Sequence, residues 1–176
     1  TLRSRGLGDV YKRQGPVCNK YPLDILENEN AKGLADRLSN LAAEKILTNI
    51  ENILQQKANF EEQDSSMATY AKKIQKIEGK INWNNGADEI LAKINGLYPQ
   101  PGAWFSFEND RHKILRATLS KNTMKPGEII DDELTISCGN KSIKVTEIQR
   151  EGKKPQKTRD FLLGSKLKKG IILKNE

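Results

Sequence analysis

Across "YPQPG", residues 98–102, the hydrophobic period of the chain changes from three-and-four to two, and no single regular element can span such a change. Before it, "NNGADEILAKINGL" places Ile90, Ile94 and Leu97 on one side of a helix. Pro99 and Pro101 cannot continue that helix. After it come "AWFSFE", "HKILRATLS", "GEIIDD", "ELTISCGN" and "KSIKVTEIQ", rich in aromatic and β-branched residues and parted by turn-forming residues. In the fourth, Leu134, Ile136 and Cys138 alternate with Thr135 and Ser137. Five short strands in so small a span predict an OB-like five-stranded β-barrel, with a small sandwich as the neighbouring solution.

Upstream the pattern is helical. Leu34, Leu38, Leu41, Ile46, Ile50, Ile53 and Leu54 form an apolar stripe, which predicts a long amphipathic helix capped by Asn28 or Asn30 and facing a core. "PVCNKYPLDI", residues 16–25, reads as a strand that Pro22 confines to an edge. The polar stretch from Asn59 to Lys80 reads as a surface linker. The expected organisation is therefore α+β: a tail over 1–14, a strand plus long helix over 15–71, a linker over 72–82 and a barrel domain over 83–176.

Charge divides along the same lines. The net charge of +7 resolves into +3 for residues 1–14, −4 for 15–71 and +8 for 72–176. An acidic segment followed by a basic one is the asymmetry expected when one domain faces a polyanion. Within the basic part, Lys72, Lys73, Lys76 and Lys80 form one cluster, and Lys153, Lys154, Lys157 and Arg159 a second. Cations that converge without intervening carboxylates are what phosphate neutralisation needs, so these eight residues are the candidate RNA-binding set. Trp104 and Phe105 are read as buried against the barrel rather than as a stacking platform for bases.

No complete catalytic set emerges. His112, the single histidine, reads as a surface residue, and Asp131, Asp132 and Glu133 as a solvated turn rather than a metal site. Cys18 and Cys138 have no further ligand at metal spacing and read as buried free thiols. No apolar run approaches the ~20 residues that span a bilayer, and no signal-peptide pattern opens the chain, so a cytoplasmic protein is expected; a monomer is the expected state.

Three blocks then acquire a joint meaning. "ATYAKKIQKIEGKINW" (68–83), "INGLYPQPGAWFSF" (94–107) and "EIQREGKKPQKTRDFLLG" (147–164) resemble, in order and spacing, the C-terminal half of bacterial methionyl-tRNA formyltransferases. The resemblance runs from residue 15 to about 165. It departs where the family usually has Trp between the two prolines of the second block and this chain has Gln100, and it loosens at the C-terminal end. The resemblance implies a doubly wound formyltransferase domain, of which 15–71 would be the last strand and helix, then a linker and an OB-like domain that holds initiator methionyl-tRNA. It also implies 10-formyltetrahydrofolate as co-substrate and an Asn, His and Asp catalytic set. The Asn and His belong to a segment upstream of anything in this chain. The Asp would stand two residues before Gly15-Pro16, where the chain has Arg13, and a guanidinium cannot orient an imidazole as a carboxylate does. Residues 1–14 match nothing in the family and read as foreign sequence. By this reading the chain binds tRNA, has no catalytic residue and holds no cofactor. The alternatives are a stand-alone OB-type RNA-binding protein and a formyltransferase for another substrate.

Overall fold

The computed structural model describes residues 15–175, so the reading of 1–14 as a foreign tail, Arg13 included, lies outside the described residues. The described residues divide into two compact units, 15–25 with Asp36–Lys72, and Leu26–Ala35 with 73–175. Among the described residues no helix is long and apolar enough to cross a membrane.

Helix α1 spans Ala31–Leu54. Asn30 caps it, its Oδ1 accepting from Gly33 N at 2.9 Å and its backbone oxygen from Leu34 N at 3.0 Å, which satisfies two of the first-turn donors. The expected core-facing stripe is not found: no residue of α1 is buried, and Leu38, Ile46, Leu47, Ile50 and Ile53 are all exposed. Periodicity specifies which side chains share a face, while burial needs an apolar surface opposite. In the described part of the first unit, that surface is missing. The expected strand over 16–25 is likewise reduced to one bridge, in which Val17 N donates to Glu61 O at 2.8 Å and Glu61 N to Val17 O at 3.0 Å. Pro16 and Pro22 bring no N–H to a longer ladder. Polar links do the remaining work, among them Lys20 Nζ to Glu61 at 2.9 Å and Tyr21 OH to Asn49 Oδ1 at 3.1 Å.

The second unit has a dense core. Helix α2, Ala87–Leu97, buries Ile90, Leu91 and Ile94 in a cluster with Trp83, Phe105 and Ile148. One antiparallel sheet runs β1-β2-β4-β3, formed by β1 (Ala103–Phe107), β2 (Asp110–Ser120), β3 (Thr135–Ser137) and β4 (Ser142–Arg150). A two-residue β5, Gln156–Lys157, adds to β4, and a short helix α3, Thr158–Leu163, follows. Four of the five expected strands form.

The fifth, "GEIIDD", is no strand and the sheet is not closed, so the unit is α+β with one open antiparallel sheet. Residues 127–130 nevertheless connect in both directions. Gly127 N and Ile130 N donate to Ser137 O and Thr135 O, while Ile129 N and Leu173 N link the same segment to 171–173 at 2.8 and 2.9 Å. At the opposite edge, Ile81 N donates to Trp104 O at 2.8 Å, and Trp83 N to the Asn175 side chain at 2.8 Å. These are isolated bonds rather than ladders. Gly127 shows the tightness of the join: its φ is +84°, and a Cβ there would come 2.3 Å from Leu173 O.

Candidate nucleic-acid interface

Alternation along β1 sends Ala103, Phe105 and Phe107 to one face and Trp104 and Ser106 to the other. Register then sets Trp104 opposite Lys113 and Ser106 opposite Arg111, with Gln149 of β4 beyond Lys113. Trp104 is 6% exposed, as expected from sequence, yet its surroundings are cationic rather than apolar. The Arg111 guanidinium lies 4.6 Å and Lys80 Nζ 5.7 Å from its ring centroid. Its indole N–H donates to the backbone oxygen of Lys76 at 2.9 Å. The indole thus ties the 3-10 turn Lys76–Gly79 to β2, contacts that favour cations over the π face and give the buried N–H an acceptor.

Above the ring opens a cleft of about 310 Å³ lined by Lys76, Gln100, Pro101, Trp104, Arg111, Lys113, Gln149, Arg150, Glu151 and Gly152. Its volume lies at the lower end of the ~300–1,000 Å³ of ligand clefts. Arg150 is neutralised by Asp110 at 2.5 Å. Lys76, Arg111 and Lys113 make no ion pair among the described residues, and Glu151 is the single carboxylate in the lining.

The two predicted clusters fare differently. Lys76 lines the cleft and Lys80 stands over Trp104, whereas Lys73 is exposed in the irregular segment before them. Lys72 is an exposed residue of the other unit. Lys153, Lys154, Lys157 and Arg159 are all exposed along the turn after β4, β5 and the start of α3, and none lines the cleft. Sequence reasoning missed Arg111, Lys113 and Arg150. The signal was present in part, because Arg111 and Lys113 flank the inward His112 in a period-two segment. Their meeting with Trp104 depends on a cross-strand register that no local pattern reports.

His112 is buried, not a surface histidine. Its ring stacks on Phe105 at 5.4 Å and meets Phe107 and Phe161 edge-on. Burial pushes its pKa below the ordinary value, against the raising influence of the Asp110 carbonyl and carboxylate, and Arg150 adds to the lowering. The acidic run is a turn: Asp131 Oδ1 accepts from Glu133 N and Thr135 N, each at 2.9 Å. Burial opposes ionisation of Asp131, but the hydrogen bonds from Thr135 and Glu133, with Lys144 nearby, outweigh it and its pKa is lowered. No group of acidic, Cys or His residues able to hold a metal occurs among the described residues. Cys138 is buried, and Cys18 only half-buried.

Comparison with known proteins gives this geometry a context. Residues 73–166 match the family described as formyl transferase, C-terminal domain. Over 162 residues the chain is 52% identical to a methionyl-tRNA formyltransferase of Pelagibacter ubique, covering 92% of this chain and 52% of that protein. It is 40% identical to one from Bradyrhizobium diazoefficiens, with 92% and 53% covered, and 38% identical to one from Rickettsia canadensis, with 91% and 53% covered. The chain therefore spans about half the length of the curated relatives it matches. Among solved structures, a variant of HypX from Aquifex aeolicus superposes with a TM-score of 0.66 at 15% identity, over 85% of this chain and 28% of that one. HypX in complex with tetrahydrofolic acid superposes at 0.64 and 14% identity, over 84% and 28%. At such identities the likeness is one of fold.

Proposed function

The chain belongs to the methionyl-tRNA formyltransferases, and on that premise we propose that it is the part of such an enzyme that holds initiator methionyl-tRNA. The whole enzyme would transfer a formyl group from 10-formyltetrahydrofolate to the methionine amino group in translation initiation. The observation that carries the reading is the cationic surround of Trp104, which lies inside the matched residues 73–166. Lys72, Lys73, Lys76, Lys80, Lys153, Lys154, Lys157 and Arg159 would add phosphate contacts, which position an RNA without reading its sequence.

Residues 15–71 would be the closing elements of the transferase domain, whose remainder would cover the exposed stripe of α1. Residues 83–176 would be an OB-like barrel. Supporting that reading are the bonds that carry β3 through 127–130 to 171–173, and the Asn175 side chain that reaches Trp83. Closure would then run through irregular segments rather than through a fifth ladder. By itself the chain would hold no folate, catalyse no transfer, and act in the cytoplasm as a monomer.

Filter binding of the chain to initiator tRNA across a salt series tests the reading. Affinity should fall steeply with salt as counterions are released. Absence of binding at low salt, or a flat salt response, would sink the proposal. Incubation with 10-formyltetrahydrofolate and methionyl-tRNA should give no formylated product.

A further inference from the structure

β2 and β4 carry five Lys and Arg residues between them. Three are ion-paired: Arg116 with Glu147 at 3.2 Å, Lys144 with Glu133 at 2.5 Å and Arg150 with Asp110 at 2.5 Å. The two without a carboxylate partner among the described residues, Arg111 and Lys113, both line the cleft over Trp104. A third cation without one, Lys76, enters from the 3-10 turn, its carbonyl fixed by the Trp104 indole. Among the described residues, pairing thus neutralises the cations of β2 and β4 everywhere except at this one concavity.

We propose that this cleft is a subsite for a single backbone phosphate of a bound RNA strand, with Arg111, Lys113 and Lys76 as donors and Trp104 as the residue that positions them. The inference rests on the tRNA-holding reading above and names the chemistry of one contact within it. Arg111 is the main donor. Its guanidinium carbon lies over the indole at 4.6 Å, which restrains the group, and a planar, weakly hydrated fork matches the oxygens of a phosphate. Trp104 is not a platform for a base, because it is 6% exposed and its ring already carries Arg111. The donors read charge and shape, so the subsite contributes affinity and register rather than sequence preference. Glu151 opposes the anion, which makes its removal informative.

Two measurements on the whole chain test the subsite. In the first, the indole N–H resonances of Trp83 and Trp104 are followed by NMR while inorganic phosphate replaces chloride at constant ionic strength. The Trp104 signal should shift in a saturable way and the Trp83 signal should not. Arg111→Ala/Lys113→Ala should abolish the shift, and Glu151→Gln should bring it to lower phosphate concentration. In the second, the salt dependence of tRNA binding is compared for the native chain, for Arg111→Ala/Lys113→Ala and for Lys153→Ala/Lys154→Ala/Lys157→Ala. Loss of one phosphate contact at the cleft should lower the slope of log K against log salt by about one.

If the native chain binds tRNA with a steep salt slope that the cleft variant leaves unchanged, the subsite is wrong and the tRNA reading stands. A Trp104 signal indifferent to phosphate, or a Glu151→Gln chain no more responsive than the native one, also overturns the subsite. If the native chain binds no tRNA, both readings fall, even where phosphate alone shifts Trp104.

Discussion

The guanidinium carbon of Arg111 stands 4.6 Å from the ring centroid of Trp104, a cation held over a nearly buried aromatic face. A contact of this kind contributes about 0.5–1 kcal/mol at a partly exposed site. A double-mutant cycle should recover that energy as coupling. Arg111→Ala should cost about 0.5–1 kcal/mol in the native background and close to nothing in a Trp104→Leu background, by urea unfolding. Equal costs in the two backgrounds would mean that the cation–ring contact is energetically idle.

His112 gives the second unit a pH dependence of definite sign. The ordinary pKa of 6.5 is lowered in the folded chain, first by burial, so between the folded and unfolded values the unfolded chain binds the extra proton. Stability is then complete above pH 6.5 and is lost as pH falls through the folded value. The charged groups nearest the ring, Asp110 and Arg150, are paired with each other and act on it in opposite directions. Urea midpoints measured from pH 7.5 down to 5 should fall for the native chain more than for His112→Gln. Parallel profiles would contradict the assignment.

The legibility of this chain in sequence follows how local each cause is. Helix α2 is visible because Ile90 and Ile94 need nothing beyond their own spacing to share a face, and β2 and β4 are visible in their period of two. The face of α1 was visible but not its fate, because exposure of Leu47 and Ile50 depends on what lies opposite. Residues 127–130 alternate like a strand, yet their partners lie at 135–137 and 171–173, and only two bridges form. Of the candidate site, Lys76 and Lys80 could be named from composition. Arg111 and Lys113 could not, since their significance comes from Trp104 on the neighbouring strand.

Gly127 and Gly152 separate conformational strain from steric exclusion. Both have positive φ, +84° and +71°, where an L residue pays roughly 1–2 kcal/mol. Nothing lies within 4 Å of a Cβ at Gly152, whereas at Gly127 it would meet the backbone oxygen of Leu173 at 2.3 Å. Gly152→Ala should therefore cost only the conformational amount. Gly127→Ala should cost about 4 kcal/mol or more and release amide protection at Ile129 and Leu173. Similar unfolding midpoints for the two variants would remove the claim that 127–130 is clamped by the C-terminal segment.

The two thiols should differ in reactivity. Burial, against the lowering influence of a backbone hydrogen bond at Ile143, pushes the Cys138 pKa up to about 11. At pH 8 roughly one Cys138 in a thousand is then thiolate, the form that attacks a disulfide reagent. Cys18 is half-buried and bears no such enclosure. Labelling at pH 8 followed by peptide mapping should modify Cys18 in the folded chain, and both cysteines in denaturant. The same shift has a stability sign: a raised folded pKa leaves the contribution of Cys138 complete below pH 9.0 and erodes it as pH rises towards 11. Cys138→Ala should lose that alkaline slope, and early labelling of Cys138 in the folded chain would show that the core around β3 opens more readily than its burial implies.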